Sequence, residues 1–164
     1  MTRPKLDFAA ILQVLVEHRV DFIVAGGVCA VRHGAPVTTF DVDLVHSRRP
    51  DNIDHLLAAL EALEASYRTP GAQHVKPDRS HLSSSGHRPS HDPVWSTGSS
   101  RVIGPGRVYE DLLLDAPEMQ VGSGLNVRVL SLPALIAVNE ETAHEKDRAV
   151  LAILRRTLEE RSKL

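Results

Sequence analysis

Residues Val20 to Val45, VDFIVAGGVCAVRHGAPVTTFDVDLV, limit what this chain can fold into more than any other stretch. Phe22 to Ala25 predict a short apolar strand, Gly26 and Gly27 a turn, Val28 to His33 a short helix, and Phe40 to Val45 a second strand. Side chains alternate along a strand, so Asp41 and Asp43 share one face while Val42 and Leu44 share the other. Two carboxylates held that close repel unless something positive lies between them. A divalent cation with oxygen ligands, most naturally Mg2+, is the usual answer, and Asp41 and Asp43 are its candidate ligands. A Gly-Gly junction from strand to helix lets a phosphate approach the backbone, where the helix start offers free N–H groups.

A Gly-Gly turn, a short helix and then Asp-apolar-Asp on the next strand resemble the nucleotidyltransferase superfamily. This is the polymerase-beta-like group that includes antibiotic nucleotidyltransferases, minimal nucleotidyltransferases and AbiEii-type toxins. The resemblance implies that Gly26 and Gly27 contact a nucleoside triphosphate and that Asp41 and Asp43 hold Mg2+ in a two-metal site. It also implies a third carboxylate on a later strand, which completes the metal site and helps activate an acceptor. The C-terminal stretch VRVLSLPALIAVNEETAHEKDRAVLAI is similar to the end of the same group. Lys146 and Asp147 match its pattern, and Lys146 is a candidate nucleotide contact; Asn139 stands where the group usually carries Lys.

The flanking segments predict a layered α+β arrangement, a small mixed sheet flanked by helices, in one domain over residues 1–164. Phe8, Ile11, Leu12, Leu15 and Val16 make a helical stripe ahead of the first strand, with His18 at the helix end. Pro50 starts a helix whose buried face is Ile53, Leu56, Leu57, Leu60 and Leu63. VYEDLLLDAP is a short helix or a strand end. Met119 and Val121, then Gly122-Ser123-Gly124, then Val127 and Val129 predict a hairpin. A helix from Ser131 and Pro133 through Val138 follows, and a last one runs over about Glu145 to Glu159. Thr38 and Thr39, just before the acidic strand, are either phosphate donors or a polar strand entry. Arg48 and Arg49 read first as a solvated loop pair and second as contacts for a phosphate or acceptor.

From Thr69 to Gly106 Ser, Pro, Gly and His dominate and no periodicity survives, which predicts an irregular polar segment. His87 and His91 have a spacing found in some zinc sites, but without further ligands they make a poor one. The family's third acidic strand belongs here, yet the chain reads HRPSHDPVWSTGSSRVIG. With suitable synonymous codons, a frame entered at the second base of the Arg88 codon reads GLLMTRFGPLDLLG. That is an apolar strand with an Asp encoded across Gly98 and Ser99. Residues 88–101 are therefore read as an out-of-frame segment, which deletes a central strand and its carboxylate. The alternative is a divergent polar loop, with Asp111 or Asp92 as the third carboxylate.

Composition excludes little more. A net charge of −2 gives no global attraction to nucleic acid or an anionic membrane. The single Cys29 cannot form an intramolecular disulfide and reads as a small buried residue. No apolar run is long enough to cross a bilayer, and MTRPKLDF lacks the apolar core of a signal peptide, so a cytoplasmic protein is expected. The expected function is Mg-dependent transfer of a nucleoside monophosphate from an NTP to a protein, RNA or small-molecule acceptor, disabled if the third carboxylate is lost. The alternatives are a degenerate nucleotide- or partner-binding domain of a toxin–antitoxin-like system, with an antitoxin or other protein as partner, and a purely structural interaction domain.

Overall fold

Strand β1 (Phe22–Ala25) is buried at all four positions and is an interior strand of the sheet, paired along both edges. In the computed structural model the described residues are 7–38, 41–67, 76–83, 93–95, 98–102, 108–122, 124–141 and 145–164, with backbone alone at 41, 66–67, 81, 93–95, 98–102 and 145–147. On one side β1 pairs antiparallel with β2 (Asp41–His46); on the other it pairs parallel with β7 (Leu125–Val129). With β3 (Ser66–Tyr67), β4 (Pro93–Trp95), β5 (Gly98–Val102) and β6 (Glu118–Val121), the order across the mixed sheet is β3-β4-β5-β2-β1-β7-β6.

A strand buried along its whole length needs cover on both faces, and helices provide it. Helix α1 (Phe8–Glu17) packs on β7 and on α3 (Pro50–Ala62). Helix α2 (Gly26–Arg32) packs on β1, β2 and α6 (Leu132–Glu141), and α6 packs on α7 (Glu145–Ser162). The predicted stripes supply the contacts: Ile11, Leu12 and Leu15 of α1 and Ile53, Leu56 and Leu60 of α3 are buried, while Leu57 and Leu63 are partly buried. Each such side chain contributes roughly 1.5–3 kcal/mol by leaving water.

Local signals set the helix ends. The Asp7 carboxylate accepts from the Ala10 N–H at 3.1 Å and caps α1. Pro50 opens α3, with Asp51 in its first turn where a negative charge suits the dipole. VYEDLLLDAP forms α5 (Tyr109–Leu112) and a following 3-10 turn, and the predicted hairpin is β6 and β7.

The middle of the chain differs from its sequence reading. The polar segment contributes a short helix, α4 (Arg79–Ser83), and the strands β4 and β5. The strand expected to be deleted is present: β5 runs parallel beside β2 from Asp41↔Ser99 to Leu44↔Val102. Ladder hydrogen bonds join peptide groups, so β2's second edge is paired by a segment with no apolar alternation. His87, His91, Asp92, Thr39 and Phe40 lie outside the described residues.

Candidate functional site

The antiparallel register sets Asp43 opposite Ala25, the last residue of β1. Gly26 follows at once, so the turn into α2 and the acidic end of β2 come together. Gly26 has φ +60, a conformation that only glycine adopts without strain. A Cβ there would overlap the Asp43 carboxylate. The two residues thus interlock: the missing side chain of one makes room for the carboxylate of the other. Asp43 is half-buried and its Oδ1 is shielded from solvent. Asp41 lies two positions earlier on β2, on the same face by strand alternation. Gly27 is half-buried in α2, and Thr38 is exposed in the loop before β2.

The far end of α2 is tied down by four polar contacts. Cys29 Sγ donates to the Leu130 carbonyl at 3.0 Å, and Arg32 Nε donates to the Gln120 carbonyl at 2.9 Å. His33 Nε2 lies 2.8 Å from the Leu130 carbonyl, and Arg161 Nη1 lies 2.9 Å from His33 Nδ1. A guanidinium only donates, so Nδ1 accepts and Nε2 carries the proton given to Leu130. Burial, with Arg161 and Arg32 nearby, holds the His33 pKa below its ordinary value against the opposing pull of the Leu130 carbonyl. Burial pushes the Cys29 thiol up to about 12, so Cys29 is an inert packing residue, in keeping with its sequence reading.

The parallel register of β5 sets Ser99 opposite Asp41 and Arg101 opposite Asp43. Laterally paired residues occupy one face of a sheet, so positions 99 and 101 belong to the face of the two aspartates. These two positions carry a serine and an arginine.

Asp111 is not brought to this cluster. Its Oδ2 accepts from the Val108 N–H at 3.2 Å, within the first turn of α5. The adjacent Glu110 accepts from Ser47 Oγ at 3.1 Å, beyond the opposite end of β2. Four residues of extended chain separate Asp43 from Ser47, a span of about 13 Å. Lys146 lies in the first turn of α7 and is described by its backbone alone. Arg49 pairs with Asp51 at 2.7 Å on the surface, as the solvated-loop reading expects. Among the described residues no group of three His, Cys, Asp or Glu side chains converges as a metal site.

Sequence reasoning missed the pin at the other end of β1. Asn52 is 1% exposed; its Oδ1 accepts from the Asp21 N–H at 2.7 Å, and its Nδ2 donates to the carbonyls of Asp21 and Ser47 at 3.1 and 2.8 Å. It joins the entry of β1, the exit of β2 and α3. A polar residue just after a helix-starting proline looks solvated in sequence, so no signal set it apart.

Asp41 and Asp43 are two acidic residues on one face of β2, the second seated over Gly26, and they are the residues that would hold a divalent cation at this end of the strand. No sequence-family model matches the chain, and no curated protein matches it. Its structure is similar to solved nucleotidyltransferase structures. The solution structure of the antibiotic-resistance factor ANT(2'')-Ia superposes with a TM-score of 0.60 at 15% identity, covering 92% of this chain and 81% of that one. The crystal structure of Thermotoga maritima TM1012, provisionally assigned as a nucleotidyltransferase, gives 0.55 at 14% identity, covering 93% of each chain.

Proposed function

From the nucleotidyltransferase fold that this chain has, we propose that it binds a nucleoside triphosphate with Mg2+ at the β1–α2 turn and the acidic end of β2, and that it transfers the nucleoside monophosphate slowly or not at all. The observation that carries this reading is the interlock of Gly26 with the Asp43 carboxylate, two strand positions from Asp41 and on the same face. Asp41 and Asp43 would hold the Mg2+, whose chemistry is to neutralise phosphate charge. The backbone of Gly26 and Gly27 would lie along the phosphates, with Thr38, Thr39 and Lys146 as further contacts.

In transfer, an acceptor hydroxyl oxygen forms a bond to the α-phosphorus as the bond to the β-phosphate oxygen breaks and pyrophosphate leaves. The hydroxyl must also lose its proton. Asp41 and Asp43 would be taken up in holding the cation, and positions 99 and 101 on β5 carry neither a carboxylate nor another ordinary base. Among the described residues, then, this reading provides for binding and lacks a base for transfer. That favours the degenerate nucleotide-binding reading over a fully active transferase. The acceptor class, whether protein side chain, RNA end or small molecule, is set by surfaces beyond these residues.

The test is thermal melting with ATP, GTP, CTP or UTP and MgCl2. At saturating nucleotide the midpoint should rise by about 5 °C for at least one of them. Asp43→Asn, which keeps its shape over Gly26 but not its charge, should reduce the rise. Unchanged melting with all four nucleotides would sink the proposal.

A further inference from the structure

A cleft of about 140 Å3 opens at the N-terminal end of β1, between the end of α1, α5 and the paired strands β6 and β7. Its floor is Val20, Phe22 and Val127, all buried, and its rim includes Val16, a large apolar side chain left exposed. Around that floor stand Asp21, Tyr109, Glu118, Asn126 and Arg128. Five residues of extended chain, about 16 Å, separate Asp21 from Gly26, so the cleft is a different place from the glycine turn. We propose that it binds a small α-amino acid, with the carboxylate at Arg128 and Tyr109 and the ammonium group at Asp21 and Glu118. This stands apart from the nucleotide reading.

The charges are held in place and are not used up by one another. Asp21 is set by its backbone: its N–H donates to Asn52 Oδ1 at 2.7 Å, and its carbonyl accepts from Asn52 Nδ2 and the Ser47 N–H, both at 3.1 Å. Arg128 stands opposite Glu118 in the antiparallel ladder, yet its Nη1 donates to the Ala116 carbonyl at 3.1 Å, which leaves Nε and Nη2 for a ligand. Among the described residues no ion pair joins Arg128 to Asp21 or Glu118, and the Tyr109 hydroxyl and the Asn126 amide make no hydrogen bond. Burial, and next the Asp21 carboxylate, raise the Tyr109 pKa above its ordinary value against the opposing effect of Arg128, so the phenol keeps its proton and can donate. A guanidinium matches a carboxylate through its planar fork of donors, and an ammonium group offers three donors to carboxylates. A ligand with one charge would answer one wall of the cleft; a zwitterion answers both. The volume is about that of a cavity that admits benzene, so the side chain must be small. The apolar floor suits a methyl or hydroxymethyl group, which would also take Val16 out of water.

The experiment titrates glycine, L-alanine and L-serine, and separately methylamine and acetate, into the full chain and follows the backbone amide resonances. The amino acids should shift the amides of Asp21, Glu118 and Arg128 with a dissociation constant of about 1 mM or lower. Methylamine and acetate should bind about tenfold more weakly or worse, the scale of one lost charged contact. Asp21→Asn and Arg128→Gln should each weaken alanine and serine by about tenfold or more, while Arg128→Lys, which keeps the charge, should retain part of the affinity. Melting without ligand verifies that each variant is folded. The exposed Asp21 side chain makes no hydrogen bond among the described residues, so Asp21→Asn carries the test if Arg128→Gln unfolds. No shift at these amides with any of the three amino acids at about 20 mM overturns the proposal. Equally tight binding of methylamine or acetate overturns it as well, because one charge then suffices. So does amino-acid binding that no folded variant weakens.

Discussion

Asp43 and Gly26 form an interlocked pair: the carboxylate of Asp43 fills the space that a side chain at position 26 would need, and Gly26 holds a φ of +60 beneath it. The pair lies where antiparallel β1 and β2 meet at Ala25↔Asp43, so the glycine turn and the acidic strand depend on each other sterically.

Replacing Gly26 by Ala should therefore destabilise the protein in two ways. The left-handed backbone costs about 1–2 kcal/mol for an L residue, and overpacking adds about 1–3 kcal/mol. Urea denaturation of Gly26→Ala, Asp43→Ala and the double variant separates the two. The double variant should be more stable than the sum of the singles predicts, because removing the carboxylate relieves part of the overlap, leaving the contact with the Cβ of residue 43 and the backbone strain.

Asn52→Ala should cost about 2–4 kcal/mol, since it leaves the Asp21 N–H and two carbonyls without the amide that joins β1, β2 and α3. The loss is read as a lower urea midpoint with an unchanged slope. Any nucleotide-dependent melting shift should survive, because Asn52 lies at the opposite end of β1 from Gly26.

Stability should fall as the solution is acidified below about pH 6.5. His46 is 5% exposed, with its Nδ1 donating to the Ser47 carbonyl, and burial, aided by nearby Arg48, holds its pKa below the ordinary 6.5 despite that hydrogen bond. His33 is shifted the same way, mainly by burial. For both, the folded chain binds fewer protons than the unfolded one between the lowered value and 6.5, so stability rises with pH across that window. The stabilisation is complete above the window and is lost as pH falls through the folded values. The slope from His46 is at most about 1.4 kcal/mol per pH unit, and that from the half-exposed His33 is smaller because water screens it. Denaturation of wild type and His46→Asn across this range checks the sign: the variant should have the flatter profile.

Ser99→Asp would set a carboxylate directly opposite Asp41. Without metal the variant should melt lower than wild type, by about 1 kcal/mol of stability from like charges in adjacent ladder positions. Adding MnCl2 or MgCl2 without nucleotide should restore or raise its melting point while leaving that of the wild type little changed. An equal response of the two proteins to divalent metal would count against position 99 as the place for a third acid.

Much of the architecture was legible because periodicity and turn chemistry agreed. Phe22 to Ala25 is a strand with the predicted limits, and Pro50 begins α3 with Ile53, Leu56 and Leu60 inward. The strands on either side of the predicted turn pair antiparallel as read, up to Val121↔Leu125. The second strand ends one residue beyond its predicted limit, at His46, since a lone His carries no boundary signal. What sequence could not display was pairing that owes nothing to side-chain pattern. PVW and GSSRV have no apolar alternation, yet their backbones extend the sheet beside β2. The contacts of Asn52, and of His33 with Arg161, join residues far apart in the chain, where spacing gives no clue. At the candidate site the sequence pointed to Gly26 and Asp43 by residue type and order; their steric interlock across the antiparallel ladder is a contact that spacing does not display.

The ladder between β2 and β5 also bears on how such a protein changes over generations. Peptide-to-peptide pairing has no stake in which side chains it carries, so the scaffold and the chemistry can be inherited separately. A codon change at position 99 or 101 rewrites the charge beside Asp41 or Asp43 while the lattice of main-chain bonds stays as it was. A lineage built this way can retire a reaction, keep the molecule as a receptor for the same ligand, and later recover the reaction without inventing a new shape.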